Sequence, residues 1–164
     1  MEKVITWTKG VFNSSYQIFS NGQICGNLIF ETWNNHALGI MSKRNYYFRR
    51  KSFTDTTTTI YGNNHEELGT INFHIWQFRA IVTLKNQIPY SWNYSNGWLS
   101  EWIVSNHQNT HLTYKASSGS GMVMGQGLDE ELIVLAGFYI REYFSRLLMI
   151  FIGFVAIMVA LRGV

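Results

Sequence analysis

Cysteine, proline and charge are all scarce in this chain of 164 residues, which has a length typical of one domain. The single cysteine, Cys25, excludes an internal disulfide, and there is one proline. Charged residues make up only 14% of the chain and aromatic residues 16%, a balance that argues against disorder. The formal net charge of +3 is too small to indicate nucleic-acid binding, so we expect no nucleic-acid partner.

Sequence motifs for catalysis, metal binding and cofactor binding are missing as well. His107 and His111 lie four positions apart, a spacing that pairs metal ligands on a helix, but their segment has the character of loop and strand. The glycine-rich stretch GSGMVMGQG, residues 119–127, has the spacing of neither a dinucleotide loop nor a P-loop, and no G-x-S-x-G motif occurs. We therefore expect no catalytic residue, no metal and no cofactor, and a non-enzymatic function.

A secretory signal is also not recognisable. The first ten residues, MEKVITWTKG, contain an acid at position 2 and no apolar stretch of the length that a signal peptide needs. Any targeting to a membrane is therefore expected to depend on the apolar C-terminal segment.

Short strand-like segments fill the chain up to about residue 127. About twelve of them, such as VITWTK, GTINFHIW and THLTYKA, are rich in β-branched and aromatic residues and are separated by turn residues. Many alternate in polarity, and Ile71, Phe73 and Ile75 fall on one face of their segment. Many short antiparallel strands on short connections predict a sandwich or a barrel.

One strand unit occurs twice in the chain. GNLIFETWNNHALG (26–39) matches GTINFHIWQFRAIV (69–82) at an offset of 43 residues, so that Gly26 corresponds to Gly69 and Trp33 to Trp76. Two copies are too few for a solenoid and fit two sectors of one closed sheet. We expect the repeated glycines to mark a bend and the repeated tryptophans to lie in the core.

A helix is predicted after Gly127. Asp129 is a plausible N-cap, and Glu130 and Glu131 fall in the first turn, where the helix dipole favours acids. The following residues are apolar on every face, which is typical of a helix surrounded by protein or lipid. A barrel of about twelve strands is too wide for its own side chains to fill. The sequence therefore predicts a mainly β fold, an antiparallel barrel (1–146) closed around an apolar central helix (129–146).

The tail, residues 147–164, contains fifteen uninterrupted apolar residues before Arg162. At about 1.5 Å per residue they cover roughly 22 Å, somewhat less than a hydrocarbon core of about 30 Å. Because the barrel is already filled by residues 129–146, we expect the tail to be a membrane-spanning anchor, helped by snorkelling of Arg146 and Arg162. The alternative is a soluble structural or interaction protein whose apolar tail is buried by self-association.

The paired segments GNLIFETW and GTINFHIW, and the ending DEELIVLAGFYIREYF, carry a resemblance to a known superfamily. They resemble the tubby C-terminal-like fold of tubby domains, phospholipid scramblases and LURP-one-related proteins. The resemblance implies twelve strands around a central apolar helix and a function at lipid membranes. The chain has no counterpart of the scramblase calcium-binding segment, so the resemblance does not extend to calcium or to scrambling.

Basic residues concentrate in KRNYYFRRK, residues 43–51, which contains Lys43, Arg44, Arg49, Arg50 and Lys51. Arginine presents a fork of donors that fits phosphate, and basic residues near a membrane attract anionic headgroups. We predict that these five residues bind anionic lipid headgroups; the alternative is a solvated end of a strand. A protein partner is also compatible with the sequence, which does not identify one.

The sequence thus predicts a non-enzymatic, membrane-tethered β-barrel module. We expect it at a membrane, attached through the C-terminal tail. Because Arg141 and Arg146 lie on the barrel side of the tail, we expect the barrel in the cytoplasm.

Overall fold

The structure, a computed structural model, describes residues 4–10, 14–52 and 54–163. Over these residues the chain forms twelve strands, one 3₁₀ turn and one long helix. The strands are β1 (Ile5–Lys9), β2 (Ser15–Ser20), β3 (Gln23–Phe30), β4 (Ala37–Met41), β5 (Arg44–Arg49), β6 (Thr57–Tyr61), β7 (Glu67–His74), β8 (Arg79–Leu84), β9 (Tyr90–Tyr94), β10 (Glu101–Ser105), β11 (His111–Ser117) and β12 (Ser120–Gln126). The 3₁₀ turn, Ile75–Gln77, joins β7 to β8, and the helix α1 is Glu131–Arg162.

The strands form one closed barrel. Each strand pairs antiparallel with the next in sequence, and β1 closes the barrel by pairing with β12, where Ile5 lies opposite Val123 and Trp7 opposite Gly121. Side chains alternate along the strands, with one set buried inside. The predicted antiparallel barrel of about twelve strands is confirmed.

Helix α1 runs through the barrel from one end to the other. Glu130, just before the helix, accepts a hydrogen bond from Tyr90 at the start of β9, whereas Glu142 pairs with Lys9 at the end of β1. We call the second end the exit end. It carries the connections β1–β2, β3–β4, β5–β6, β7–β8, β9–β10 and β11–β12.

Aromatic rings fill the space between the helix and the barrel wall. On one side of α1, Phe138 contacts Trp7 and Tyr114, with ring centroids 5.6 Å and 5.2 Å away. Facing a different part of the wall, Tyr139 stacks on Phe48 of β5 at 4.5 Å. Because rings from strands all round the barrel touch the same helix, α1 is the core of the fold, as the sequence predicted.

Two buried aromatic side chains also hydrogen bond to the helix backbone. The indole N–H of Trp92 donates to the carbonyl of Gly137 at 3.1 Å, and the Tyr114 hydroxyl donates to the carbonyl of Val134 at 3.2 Å. The close approach of Tyr114 requires a glycine in the helix, since a Cβ on Gly137 would lie 2.3 Å from the Tyr114 hydroxyl oxygen. The helix is therefore fixed in both rotation and depth.

The start of the helix differs from the prediction. The helix begins at Glu131 and not at Asp129, and Glu130 occupies the N-cap position without a side-chain capping bond. The carboxylate of Glu130 instead accepts hydrogen bonds from Tyr90 (2.6 Å) and Thr110, and Glu131 accepts one from Tyr46 (3.3 Å). Glu131 therefore lies in the first turn as predicted, whereas Glu130 precedes the helix and its carboxylate is held by side chains of the barrel.

The internal repeat has a structural basis, with one correction. The pairing register shifts opposite Gly26 and again opposite Gly69, at equivalent places between β2 and β3 and between β6 and β7. The repeated glycines therefore mark bulges, and a Cβ there would press against the neighbouring strand. The expectation that Trp33 and Trp76 lie in the core is wrong, because both are exposed, on connections at the exit end.

The last part of the fold is the exposed half of the helix. Side chains are buried up to Phe144, Leu147 packs partly against the core, and Met149 is exposed. The helix continues without a break, and the residues that follow are exposed on every side. The predicted boundary between positions 146 and 147 falls inside this change from buried to exposed.

Candidate functional site

Four basic side chains lie near one buried carboxylate where the helix leaves the barrel; three of them interact with it, and the fourth lies over the ring of the next residue, Tyr143. The carboxylate belongs to Glu142, whose side chain is 2% exposed, and the bases are Lys9, Arg50, Arg141 and Arg146. We call these four bases the collar. They come from β1, from the β5–β6 connection and from α1, so only closure of the barrel brings them together.

Glu142 is held by several of its neighbours. Its Oε2 lies 2.7 Å from the Lys9 ammonium and accepts a hydrogen bond from the Tyr16 hydroxyl at 2.9 Å, while its Oε1 lies 3.4 Å from Arg146 Nε. Burial acts to raise the pKa of Glu142, but the charge and hydrogen bond of Lys9 and the hydrogen bonds from Tyr16 and Ser14 together more than offset it, so the pKa lies below its ordinary value. Glu142 is therefore an anion near neutral pH and leaves the collar with an excess of positive charge.

Each collar arginine also lies over aromatic rings. The guanidinium of Arg50 is 4.8 Å from the ring centroid of Tyr143, and Arg146 is 4.8 Å from that of Phe30. Arg141 lies 5.2 Å from the Trp102 ring and donates a hydrogen bond to the Tyr16 hydroxyl at 2.9 Å. Rings hold cations in place without neutralising them, so the collar keeps its charge for a ligand.

A cavity opens beside the collar at the foot of the exposed helix. Its volume is about 740 Å³. Its lining includes the bases Lys9, Arg50 and Arg146, the acid Glu142, and apolar residues of the helix such as Ile150. Such a cavity offers bases to the phosphate of a lipid and apolar side chains to the beginning of its acyl chains.

The structure separates the five basic residues that the sequence grouped together. Lys43 and Arg44 lie at the beginning of β5, and Arg49, Arg50 and Lys51 at its exit end, roughly 17 Å away along the strand. Arg50 is 8% exposed and belongs to the collar, while Lys51 is exposed. Only the second group lies beside the cavity and the exposed helix.

Arg49 belongs to a network at the surface of the exit end. Its guanidinium donates to Glu31 Oε1 at 2.8 Å and lies 2.9 Å from Nδ1 of His36. Hydrogen bonds from Asn34 and from Arg49 hold the pKa of Glu31 below its usual range. Arg49 is thus partly neutralised, and a phosphate would compete with Glu31 for it.

Sequence reasoning missed most of this site. Lys9 is 133 positions from Glu142, and the two meet only because β1 closes on β12 beside the helix. Arg141 and Arg146 entered the sequence argument only as bases on the barrel side of the tail, although charges inside an apolar segment indicate that the surroundings of the helix change there. Their aromatic partners lie on distant strands and could not be identified from local sequence patterns.

A second cavity, of about 890 Å³, lies at the other end of the barrel around the start of the helix. Its walls include Arg44 and Lys85 but also Glu66, Asp129, Glu130 and Glu131. The acidic groups make this cavity a poorer place for an anion than the collar. The described residues contain no group of three or more His, Cys, Asp or Glu side chains placed to hold a metal ion.

The exposed part of α1 is the largest apolar surface of the described molecule. Its large apolar side chains from Met149 to Leu161 are between 42% and 69% exposed. By length and composition, α1 is a candidate membrane span. An apolar surface of this extent in water indicates a membrane or a protein partner.

Comparisons with protein-family models, with curated proteins and with solved structures find no match to this chain.

Proposed function

We propose that this protein is a membrane-tethered β-barrel module whose C-terminal helix first fills the barrel and then spans the bilayer over residues 147–161. The observation that carries the proposal is the continuity of α1 from the buried Phe144 to the exposed Met149 and on to Arg162. Apolar side chains exposed on all faces of a helix fit hydrocarbon. Self-association of the tails in water is the competing arrangement.

We propose further that the exit end binds anionic lipid headgroups. The support is the collar with its excess of positive charge, the cavity between the collar and the exposed helix, and the nearby bases Arg49 and Lys51. Basic residues close to a membrane surface each contribute about 1 kcal/mol to attraction by anionic lipids. The proposed role is binding and not catalysis, because the charged groups here are held in place by rings and ion pairs.

The barrel is proposed to lie on the cytoplasmic side, and the chain to be related to the tubby C-terminal-like superfamily. The first proposal is supported by the basic residues that precede the span, which favour that side under the positive-inside rule. The second is supported by architecture alone, twelve strands closed around a C-terminal apolar helix.

Membrane anchoring is tested with the full chain expressed in cells and a variant carrying Phe154→Arg and Ile157→Arg. Each arginine near the middle of a span costs roughly 3 kcal/mol of insertion free energy, so the variant should fail to insert. After an alkaline carbonate wash, the natural chain should stay with the membranes and the variant should be released. A control variant with Ile24→Arg and Ile88→Arg, exposed residues away from the exit end, should stay with the membranes.

The opposite result would favour self-association. If the natural chain is released by carbonate and forms oligomers in solution, the tail is covered by protein and the anchor proposal fails.

Headgroup binding is tested with the full chain in detergent and a water-soluble, short-chain phosphatidylinositol phosphate. Arg49→Ala with Lys51→Ala should weaken the binding measured by calorimetry by about thirtyfold, the loss expected from two surface bases that each contribute about 1 kcal/mol. The matched control is Lys43→Ala with Arg44→Ala, which alters bases of the same sequence cluster at the far end of β5. If both variants weakened binding equally, the lipid would respond only to the overall charge of the protein. The proposal that it binds at the exit end would then fail.

A further inference from the structure

Three tryptophans protrude from the exit end of the barrel. Trp33, Trp76 and Trp98 are 93%, 97% and 90% exposed, respectively. They lie on the β3–β4, β7–β8 and β9–β10 connections, three of the six connections at this end of the described chain. The remaining tryptophans, Trp7, Trp92 and Trp102, are buried in the core. We call Trp33, Trp76 and Trp98 the tryptophan rim.

The connection that carries Trp33 is fixed by hydrogen bonds. Arg146 donates to the carbonyls of Glu31 (3.1 Å) and Asn34 (2.9 Å), on either side of the tryptophan. Asn34 also donates to Glu31 Oε2 at 2.7 Å. The backbone around Trp33 is thereby tied to the helix just before its apolar half begins.

The other two connections are also held by local contacts. Trp76 lies in the 3₁₀ turn that Phe78 ends in a left-handed conformation (φ 49°), and the Phe78 ring packs on Phe144 at 5.5 Å. Beside Trp98, the side-chain carbonyl of Asn96 accepts hydrogen bonds from the backbone N–H groups of Ser100 and Glu101. Both rings are thus presented to the outside by ordered turns.

The other end of the barrel is different. Its connections are 21–22, 42–43, 62–66, 85–89 and 106–110, which consist mainly of polar residues, and no exposed tryptophan lies on them in the described chain. The tryptophans are therefore concentrated at the end from which the apolar helix emerges.

The length of the helix sets the height of this rim above the proposed span. The exposed Met149 lies five positions after the buried Phe144, which corresponds to about 7.5 Å along the helix axis. The fifteen apolar residues of the tail cover roughly 22 Å and leave no slack in a hydrocarbon core of about 30 Å. If the tail spans the bilayer, the exit end must therefore lie against the membrane surface.

We propose that the tryptophan rim is a membrane-docking surface that inserts into the interface between lipid headgroups and hydrocarbon. Indole rings favour this layer because they combine a large apolar area with an N–H donor. The inference rests on the proposed membrane span and adds to it three anchor points outside the helix. The docked rim also places the collar at the level of the lipid phosphates.

A lipid surface fits the rim better than a second copy of the chain. The exposed helix emerges through the same end of the barrel as the rim. If two copies met rim to rim, each tail would project into the other barrel. The bilayer is the occupant that receives the tail and the rim together.

The test uses the full chain in vesicles that contain lipids brominated either near the headgroup or near the middle of the acyl chain. Bromine quenches tryptophan fluorescence on contact, and the buried tryptophans provide a constant background. Quenching of the natural chain should be stronger with the shallow bromines than with the deep ones. The variant W33S/W76S/W98S should lose at least half of the shallow quenching, whereas I24S/I88S, altered away from the rim, should retain it.

Carbonate extraction of the same samples separates this inference from the proposed anchor. If the natural chain resists carbonate but is quenched no more than the triple variant, the rim does not dock and the inference fails while the anchor stands. If carbonate extracts the natural chain and no quenching occurs, both fail. If acrylamide cannot reach the rim in detergent and the chain is a dimer, the rim is covered by protein and the inference is overturned.

Discussion

At the scale of single residues, Glu142 is the group on which the exit end depends most. Its carboxylate is buried and interacts with Lys9, Tyr16 and Arg146. Removing one member of a buried ion pair leaves the remaining charges poorly compensated.

Replacement of Glu142 by Gln should lower the free energy of unfolding by about 3 kcal/mol, since it leaves Lys9 and Arg146 without their carboxylate. The measurement is urea denaturation of the full chain in a mild detergent. Glu101→Gln is the control, because Glu101 and Lys115 form an exposed pair at 3.9 Å that contributes less than about 1 kcal/mol. Equal losses would show that Glu142 is no more than a surface charge.

The stabilities of the natural chain and of E142Q should also depend differently on pH. Because the pKa of Glu142 is lower in the folded chain than in the unfolded one, its stabilisation is present above the unfolded pKa, about 4.3, and disappears as the pH falls through the folded pKa. The difference in stability between the natural chain and E142Q should therefore shrink between pH 6 and pH 3. A difference that stays constant over this range would contradict the assignment.

At the scale of elements, helix α1 has two halves with opposite requirements. Inside the barrel Gly137 is needed by Tyr114, whereas in the exposed half a Cβ on Gly153 would meet nothing within 4 Å. The same substitution can therefore report on both halves of one helix.

Gly137→Ala should destabilise the protein by about 2 kcal/mol, although alanine favours a helix by about 1 kcal/mol, because the new methyl group would displace the fully buried Tyr114. Gly153→Ala should not destabilise the protein, because its methyl group would meet nothing within 4 Å and alanine favours a helix by about 1 kcal/mol. Thermal unfolding in detergent, followed by circular dichroism, measures both. A harmless Gly137→Ala would mean that α1 does not occupy this position in the core.

The elements could be predicted from the sequence to the extent that their signals are local. Alternation in GTINFHIW predicted the strand β7. Apolarity on every face predicted a helix that has no polar face for water. The internal repeat misled at Trp33 and Trp76, which we expected in the core. β7 ends at His74, and the 3₁₀ turn that follows it, like the β3–β4 connection, leaves its tryptophan exposed. The collar could not be predicted, since Lys9 and Glu142 are joined only by closure of the barrel.

At the scale of the whole molecule, charge is distributed unequally along the barrel axis. Near the start of the helix the described chain has five acids and three bases, namely Glu66, Glu67, Asp129, Glu130 and Glu131 with Lys43, Arg44 and Lys85. The exit end has eight bases and four acids, namely Lys9, Arg49, Arg50, Lys51, Arg79, Lys115, Arg141 and Arg146 with Glu31, Asp55, Glu101 and Glu142. At the far end of the exposed helix the described chain has the single base Arg162. The molecule thus presents its positive side towards the proposed membrane.

This asymmetry predicts the orientation of the anchored protein. A glycosylation acceptor added after Val164 should be modified when the chain inserts into endoplasmic-reticulum membranes, and an acceptor placed in the exposed connection 62–66 should not be, since the proposed orientation leaves the barrel in the cytoplasm. Gel mobility before and after glycosidase treatment reads out the result. If only the acceptor in the loop were modified, the orientation would be the opposite of the proposed one.

The unbroken helix also determines how the protein can meet other molecules. A domain on a flexible linker samples a wide volume above a membrane. In this protein, one continuous helix forms both the centre of the barrel and the proposed anchor. With the exposed half of the helix inserted in a bilayer, the barrel could rotate about the membrane normal and diffuse laterally, but it would stay at the membrane surface. It would then meet membrane-bound partners by lateral diffusion. A soluble protein could contact only the outer wall of the barrel and its acidic end, which faces away from the lipid.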